Sequence, residues 1–144
     1  MTEVTVESLT RGKLAQSVRF GAMTLVADEP AEAGGEDRGP GPYDLLLGAL
    51  GACTAMTLQL YARGKGWPLE RVRVHLTHNR IHAEDCADCE TKEGFLDEIR
   101  KEIVVSGRLS DEQRERLLEI AELCPVNLTL RREVHIVGSI SADG

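Results

Sequence analysis

Apolar residues recur along this chain with different spacings, and each spacing predicts an element. From Leu45 to Leu58 they are nearly continuous, broken only by small residues and by Thr54 and Thr57, and polarity returns at Gln59 and Arg63. Pro42 suits a first helical turn, Asp44 suits the positive end of the helix dipole, and Gly64 and Gly66 suit an exit. A helix from about Pro42 to Arg63 follows. Its apolar run is shorter than the roughly 18 uninterrupted residues expected of a membrane span, so it is expected in a protein core. Being apolar nearly all round it must be surrounded by protein, and in a chain this small a second subunit is expected to cover part of it. Gly48, Gly51, Ala52 and Ala55 form a small-residue face that lets another backbone come close.

A second helix is announced by Ser110-Asp111-Glu112-Gln113, a capping-box pattern, and is expected to run to about Cys124. Leu117, Ile120, Ala121 and Cys124 share its apolar face, and Pro125 is read as the stop behind it. Alternation predicts strands over Thr2 to Leu9, Leu14 to Phe20 and Met23 to Asp28, with turns near Arg11-Gly12 and Phe20-Gly21. Further strands are predicted over Arg71 to Ile81, around Ile99, Lys101, Ile103 and Val105, and over Glu133 to Val137. The order is strands, long helix, strands, helix, strand. That is α+β, with antiparallel sheets packed around a long central helix. The Gly- and Pro-rich stretch Asp28 to Gly41 is long enough to cover a site, and equally well reads as a flexible connection.

Length makes residues 1–144 a single domain. A formal charge of −7 disfavours nucleic acid or an anionic membrane as partner and favours a small neutral or apolar ligand. No basic segment followed by an apolar run opens the chain, so a cytoplasmic location is expected, with the four cysteines reduced, catalytic or metal-bound rather than in structural disulfides.

Cys53, at mid-helix, gains little from the helix dipole, and apolar burial makes a thiol unreactive. To serve as a nucleophile it needs a cation delivered from elsewhere. Arg11, Arg19 and Arg38 are candidates, and Arg19, late in a predicted strand, is the best placed. Cys124, at the expected negative end of its helix, suits a second, waiting thiol that condenses with an oxidised neighbour. On composition alone the plainer reading is two packed cysteines filling core volume.

The string Gly41-Pro42-Tyr43-Asp44-Leu45-Leu46-Leu47-Gly48-Ala49-Leu50-Gly51-Ala52-Cys53-Thr54, with Cys124-Pro125-Val126 downstream, resembles the OsmC/Ohr family of organic hydroperoxide reductases. The similarity takes in Asp28-Glu29-Pro30 and Trp67-Pro68-Leu69-Glu70. It implies an intertwined α+β homodimer with sites at the subunit interface. It also implies that Cys53 attacks an organic hydroperoxide, Cys124 closes the disulfide, Arg19 holds the thiolate, and a small dithiol restores the pair without metal or organic cofactor. Leu46 and Leu50 would then wall an apolar substrate pocket. The family's glutamate after the helix-opening proline is replaced here by Tyr43, with Asp44 one residue later, a shift of about a quarter turn. Asp44 is therefore expected first to favour the helix start and second to orient the arginine.

Cys86-Ala87-Asp88-Cys89, with His78 and His82 upstream, offers four donors of types that zinc accepts, at compact spacing. An exposed ligand-free connection is expected first, a metal site second and an auxiliary dithiol third. His75 and the pair Arg131-Arg132 read as solvated strand residues. Two rival functions follow: a dimeric binding module of the same fold without peroxidase activity, and a zinc-stabilised interaction protein built on Cys86 and Cys89.

Overall fold

The computed structural model describes residues 1–142, which fall into two compact units, Met1–Gly48 and the segment from Ala49 onward. In the first, β1 (Thr5–Ser8), β2 (Gln16–Phe20) and β3 (Met23–Ala27) form an antiparallel meander in the order β1-β2-β3. Phe20 pairs with Met23, and Gly21 takes φ 59° in the two-residue turn between them, a conformation that favours glycine. Val18, opposite Val6 and Leu25, is buried with Ala15 and Ala27.

The stretch Asp28 to Gly41 is organised around one carboxylate. Asp28 is 3% exposed and accepts the backbone N–H groups of Glu29, Glu36 and Arg38 at 2.8 to 3.2 Å. Burial alone would raise its pKa, but those three donors and the Arg38 guanidinium charge hold it below the ordinary carboxylate value. At Gly39 a side chain has no room, since a Cβ there would lie 1.8 Å from the carbonyl oxygen of Val26.

Helix α1 (Pro42–Lys65) begins in the first unit and continues into the second, where it is followed by β4 (Leu69–His82), β5 (Phe95–Gly107), α2 (Asp111–Ala121) and α3 (Pro125–Arg131). Strands β4 and β5 form one long antiparallel hairpin, with Val74 opposite Ile103. Their half-buried residues alternate with exposed ones, as the sequence predicts, but both strands outrun their expected bounds. Leu58 of α1 packs with Leu109, Leu117, Ile120 and Ala121, and Val72, Ile103 and Val105 of the hairpin close against this cluster.

One expectation fails and another is met in part. Among the described residues Glu133 to Val137 forms no strand, and Ile136 and Val137 are 85% and 78% exposed. Within one chain α1 is covered on one face only, which leaves the rest for the second subunit that the sequence predicts. Leu50, Gly51, Thr54, Leu58 and Ala62 form one buried face, whereas Met56 and Leu60 stand more than 60% exposed. By length and composition α1 is long and apolar enough to cross a membrane, a test that the core helix of a soluble protein also passes.

Candidate active site

The site is built where α3 starts against α1. Helix α2 opens on the expected capping box, with Gln113 N–H donating to Ser110 Oγ at 3.1 Å and Ser110 N–H donating to Gln113 Oε1 at 2.9 Å. It ends at Ala121, earlier than expected, and Pro125 does not act as a stop. Proline at a first helical position lacks only an N–H that would have no partner there, so Pro125 opens α3. Cys124 is therefore the N-cap of α3, not the last residue of α2, and the argument from the negative end of α2 no longer applies to it.

This correction brings the two free cysteines to one place. Val126 N–H points to Cys53 Sγ at 3.5 Å, and the next amide, Asn127 N–H, donates to Cys124 Sγ at 3.4 Å. Cys53 is half-buried, whereas Cys124 is fully buried. Thr54, the neighbour of Cys53, has its Oγ1 3.4 Å from Cys124 Sγ and 2.9 Å from the carbonyl oxygen of Leu50. A hydroxyl carries one proton, and with that proton on Leu50 the Cys124 thiol donates to Thr54.

Sequence reasoning missed the clamp behind this turn. Lys101, with a side chain only 9% exposed, donates to Asn127 Oδ1 at 3.0 Å and to the carbonyl oxygen of Ala121 at 3.5 Å. Asn127 Nδ2 in turn donates to the Glu122 carbonyl at 2.9 Å. The end of α2 and the start of α3 are thus tied to β5. A signal was present, since Lys101 occupies the inward parity of β5 between Ile99 and Ile103, where an apolar residue belongs.

Beside the clamp lies a cavity of about 460 Å³, lined by Leu50, Lys101, Glu122, Asn127, Cys86 and Cys89 among others. Leu50, expected as an apolar wall, lines it; Leu46 belongs to the first unit. Cys86 and Cys89 are joined by a disulfide with Cα atoms 5.5 Å apart, which corrects the expectation of unpaired thiols in that connection. The four-donor zinc set is not assembled. His78 Nε2 lies 2.8 Å from Asp97 Oδ1, and His82 stacks on Phe95 at 4.5 Å. Cys86, Asp88 and Cys89 do lie close enough to share an ion, but sulfurs bonded to one another offer no thiolates.

The remaining named residues belong to the first unit. Arg19 is exposed in β2, opposite Thr5 and Thr24. Arg38 Nη1 donates to the Arg11 carbonyl at 2.6 Å, so Arg38 closes a loop there. Asp44 Oδ2 accepts the Gly41 N–H at 2.8 Å, as a third-residue acid does when it caps its own helix.

Antiparallel sheets, a long apolar helix and a free thiol pair at a helix start define a cysteine-centred α+β protein. Residues 34–137 match the family model described as OsmC-like protein, well over half of the chain, and the chain belongs to that family. No curated protein matches it. Among solved structures it is similar to an OsmC-like protein from Mycoplasma pneumoniae, with TM-score 0.72, 19% identity, and coverage of 91% of this chain and 87% of that one. An organic hydroperoxide resistance protein OsmC from Legionella pneumophila follows the same fold, with TM-score 0.65, 23% identity, and 91% and 89% coverage. So does the organic hydroperoxide resistance protein OhrB of Bacillus subtilis, at TM-score 0.58, 21% identity, and 91% and 90% coverage.

Proposed function

We propose that this chain is a thiol-dependent peroxidase that reduces organic hydroperoxides to alcohols. The observation that carries this reading is that Cys53 Sγ and Cys124 Sγ are held by the consecutive amides of Val126 and Asn127. Cys53, the half-buried member, attacks the distal peroxide oxygen as thiolate. The O–O bond breaks, the alkoxide takes a proton and leaves as alcohol, and Cys53 becomes a sulfenic acid. Cys124 thiol then condenses with it, releasing water and forming the disulfide, and a small dithiol reduces that disulfide by exchange.

Arg19 is the cation we assign to the thiolate and to the charge developing on the leaving oxygen, on the strength of the family resemblance and its place in β2. Asp44 is assigned first to the helix start and second to orienting Arg19. The protein acts in this reading as a cytoplasmic homodimer without metal or organic cofactor. The dimer is supported by the bare apolar face of α1 at Met56 and Leu60 and by the exposed Ile136, Val137 and Ile140, which a second copy would cover.

A binding module without peroxidase activity is the second reading, favoured by the engagement of the Asp44 carboxylate with Gly41, which leaves Arg19 without a dedicated orienting acid. Thiol titration before and after one equivalent of cumene hydroperoxide separates the two. The peroxidase loses two thiols, Cys53→Ser loses none, and Cys124→Ser stops at the Cys53 sulfenic acid, reaching sulfinic acid with a second equivalent. Unchanged thiols in the unsubstituted protein establish the module instead.

A further inference from the structure

We propose that Cys86 and Cys89 are a second redox pair that passes electrons to the Cys53–Cys124 pair, an inference that rests on the peroxidase reading. One pair borders a cavity whose wall also holds direct neighbours of the other. Cys86 and Cys89 line it from the connection between β4 and β5, together with Leu50 and Asn127. Leu50 lies one turn before Thr54 on α1 and bonds to it, and Asn127 donates its N–H to Cys124 Sγ. Open space of about 460 Å³ therefore lies against Cys86 and Cys89 and against the residues that flank Cys53 and Cys124.

A purely structural role explains the Cys86–Cys89 bond poorly. It links residues only three apart, so it removes little freedom from the unfolded chain. Two cysteines at this spacing, half-buried beside an open cavity, suit reversible exchange.

In the reduced pair Cys89, as thiolate, is the attacking group. Cys89 attacks Cys53 Sγ, the accessible sulfur of the oxidised pair; the Cys53–Cys124 bond breaks and its electrons leave on Cys124, which takes a proton. Cys86 gives up its proton and attacks Cys89 Sγ, and Cys53 departs as thiolate. One disulfide has formed at Cys86–Cys89 and one has been reduced at Cys53–Cys124, with two electrons moved between them. A small external dithiol then reduces Cys86–Cys89.

The test adds cumene hydroperoxide to the fully reduced chain without any other reductant and locates thiols by alkylation and peptide mass mapping. The unsubstituted protein is expected to consume about two equivalents, with the bond found at Cys86–Cys89 after the first, while the double variant Cys86→Ser, Cys89→Ser consumes about one. Consumption that stops at one equivalent, with Cys53–Cys124 oxidised and Cys86 and Cys89 still thiols, overturns the relay and leaves the peroxidase standing. No consumption at all removes both.

Discussion

The two cysteine pairs differ in how their members come together. Cys86 and Cys89 are three residues apart and bonded, so the local chain alone brings them into reach. Cys53 and Cys124 are unbonded and come from distant segments, and they meet because α2 packs on α1 through Leu58, Leu117, Ile120 and Ala121 and the Val126 amide of α3 reaches Cys53. The first pair depends on a turn; the second depends on a core. A perturbation of the core should therefore uncouple the second pair and spare the first.

The largest expected break is Leu117→Ala. Leu117 is 1% exposed in that core, and truncation there costs about 2 to 5 kcal/mol, read as a lower urea midpoint. Peroxide-driven Cys53–Cys124 bond formation should slow with it, while Cys86–Cys89 still closes on air oxidation. Arg19→Ala sharpens the contrast chemically. It should slow cumene hydroperoxide consumption by about 100-fold, a barrier change of about 2.7 kcal/mol, without altering dithiol reduction of Cys86–Cys89. An unchanged peroxide rate would remove Arg19 from the mechanism.

Lys101→Met probes the clamp. It leaves Asn127 Oδ1 without its donor in a nearly buried place, which costs about 1 to 3 kcal/mol in denaturant unfolding. The smallest effect is expected in the first unit. The folded pKa of Asp28 lies below its unfolded value of 3.8, so its stabilising contribution is complete above that value and is lost as pH falls through the folded pKa. Hydrogen exchange of Glu36 and Arg38 amides should rise over that acid window, and Asp28→Asn should abolish the pH dependence.

Local signals were legible wherever one element decides the outcome. Ser110 and Gln113 form the capping box that their spacing announces, and Pro42 opens the long helix. Signals with two meanings failed. A proline after a helix marks either a stop or a new first turn, and only the packing of α3 on α1 selects the second at Pro125. Alternation from Glu133 to Val137 describes a strand only if an edge pairs with it, and among the described residues none does. Lys101 was visible as a charge at an inward position, but its acceptors Asn127 and Ala121 are distant in sequence and reach it through the fold alone.

The hairpin of β4 and β5 also fixes an order of events for a chain emerging unfolded. Its connection needs only a short closure, whereas Thr54 and Cys124 lie 70 residues apart and must wait for two helices to dock. Loop-closure entropy makes the nearer encounter the faster one. In an oxidising medium Cys86 would thus find Cys89 before either meets Cys53, which guards the newly made polypeptide against crossed bridges during its assembly.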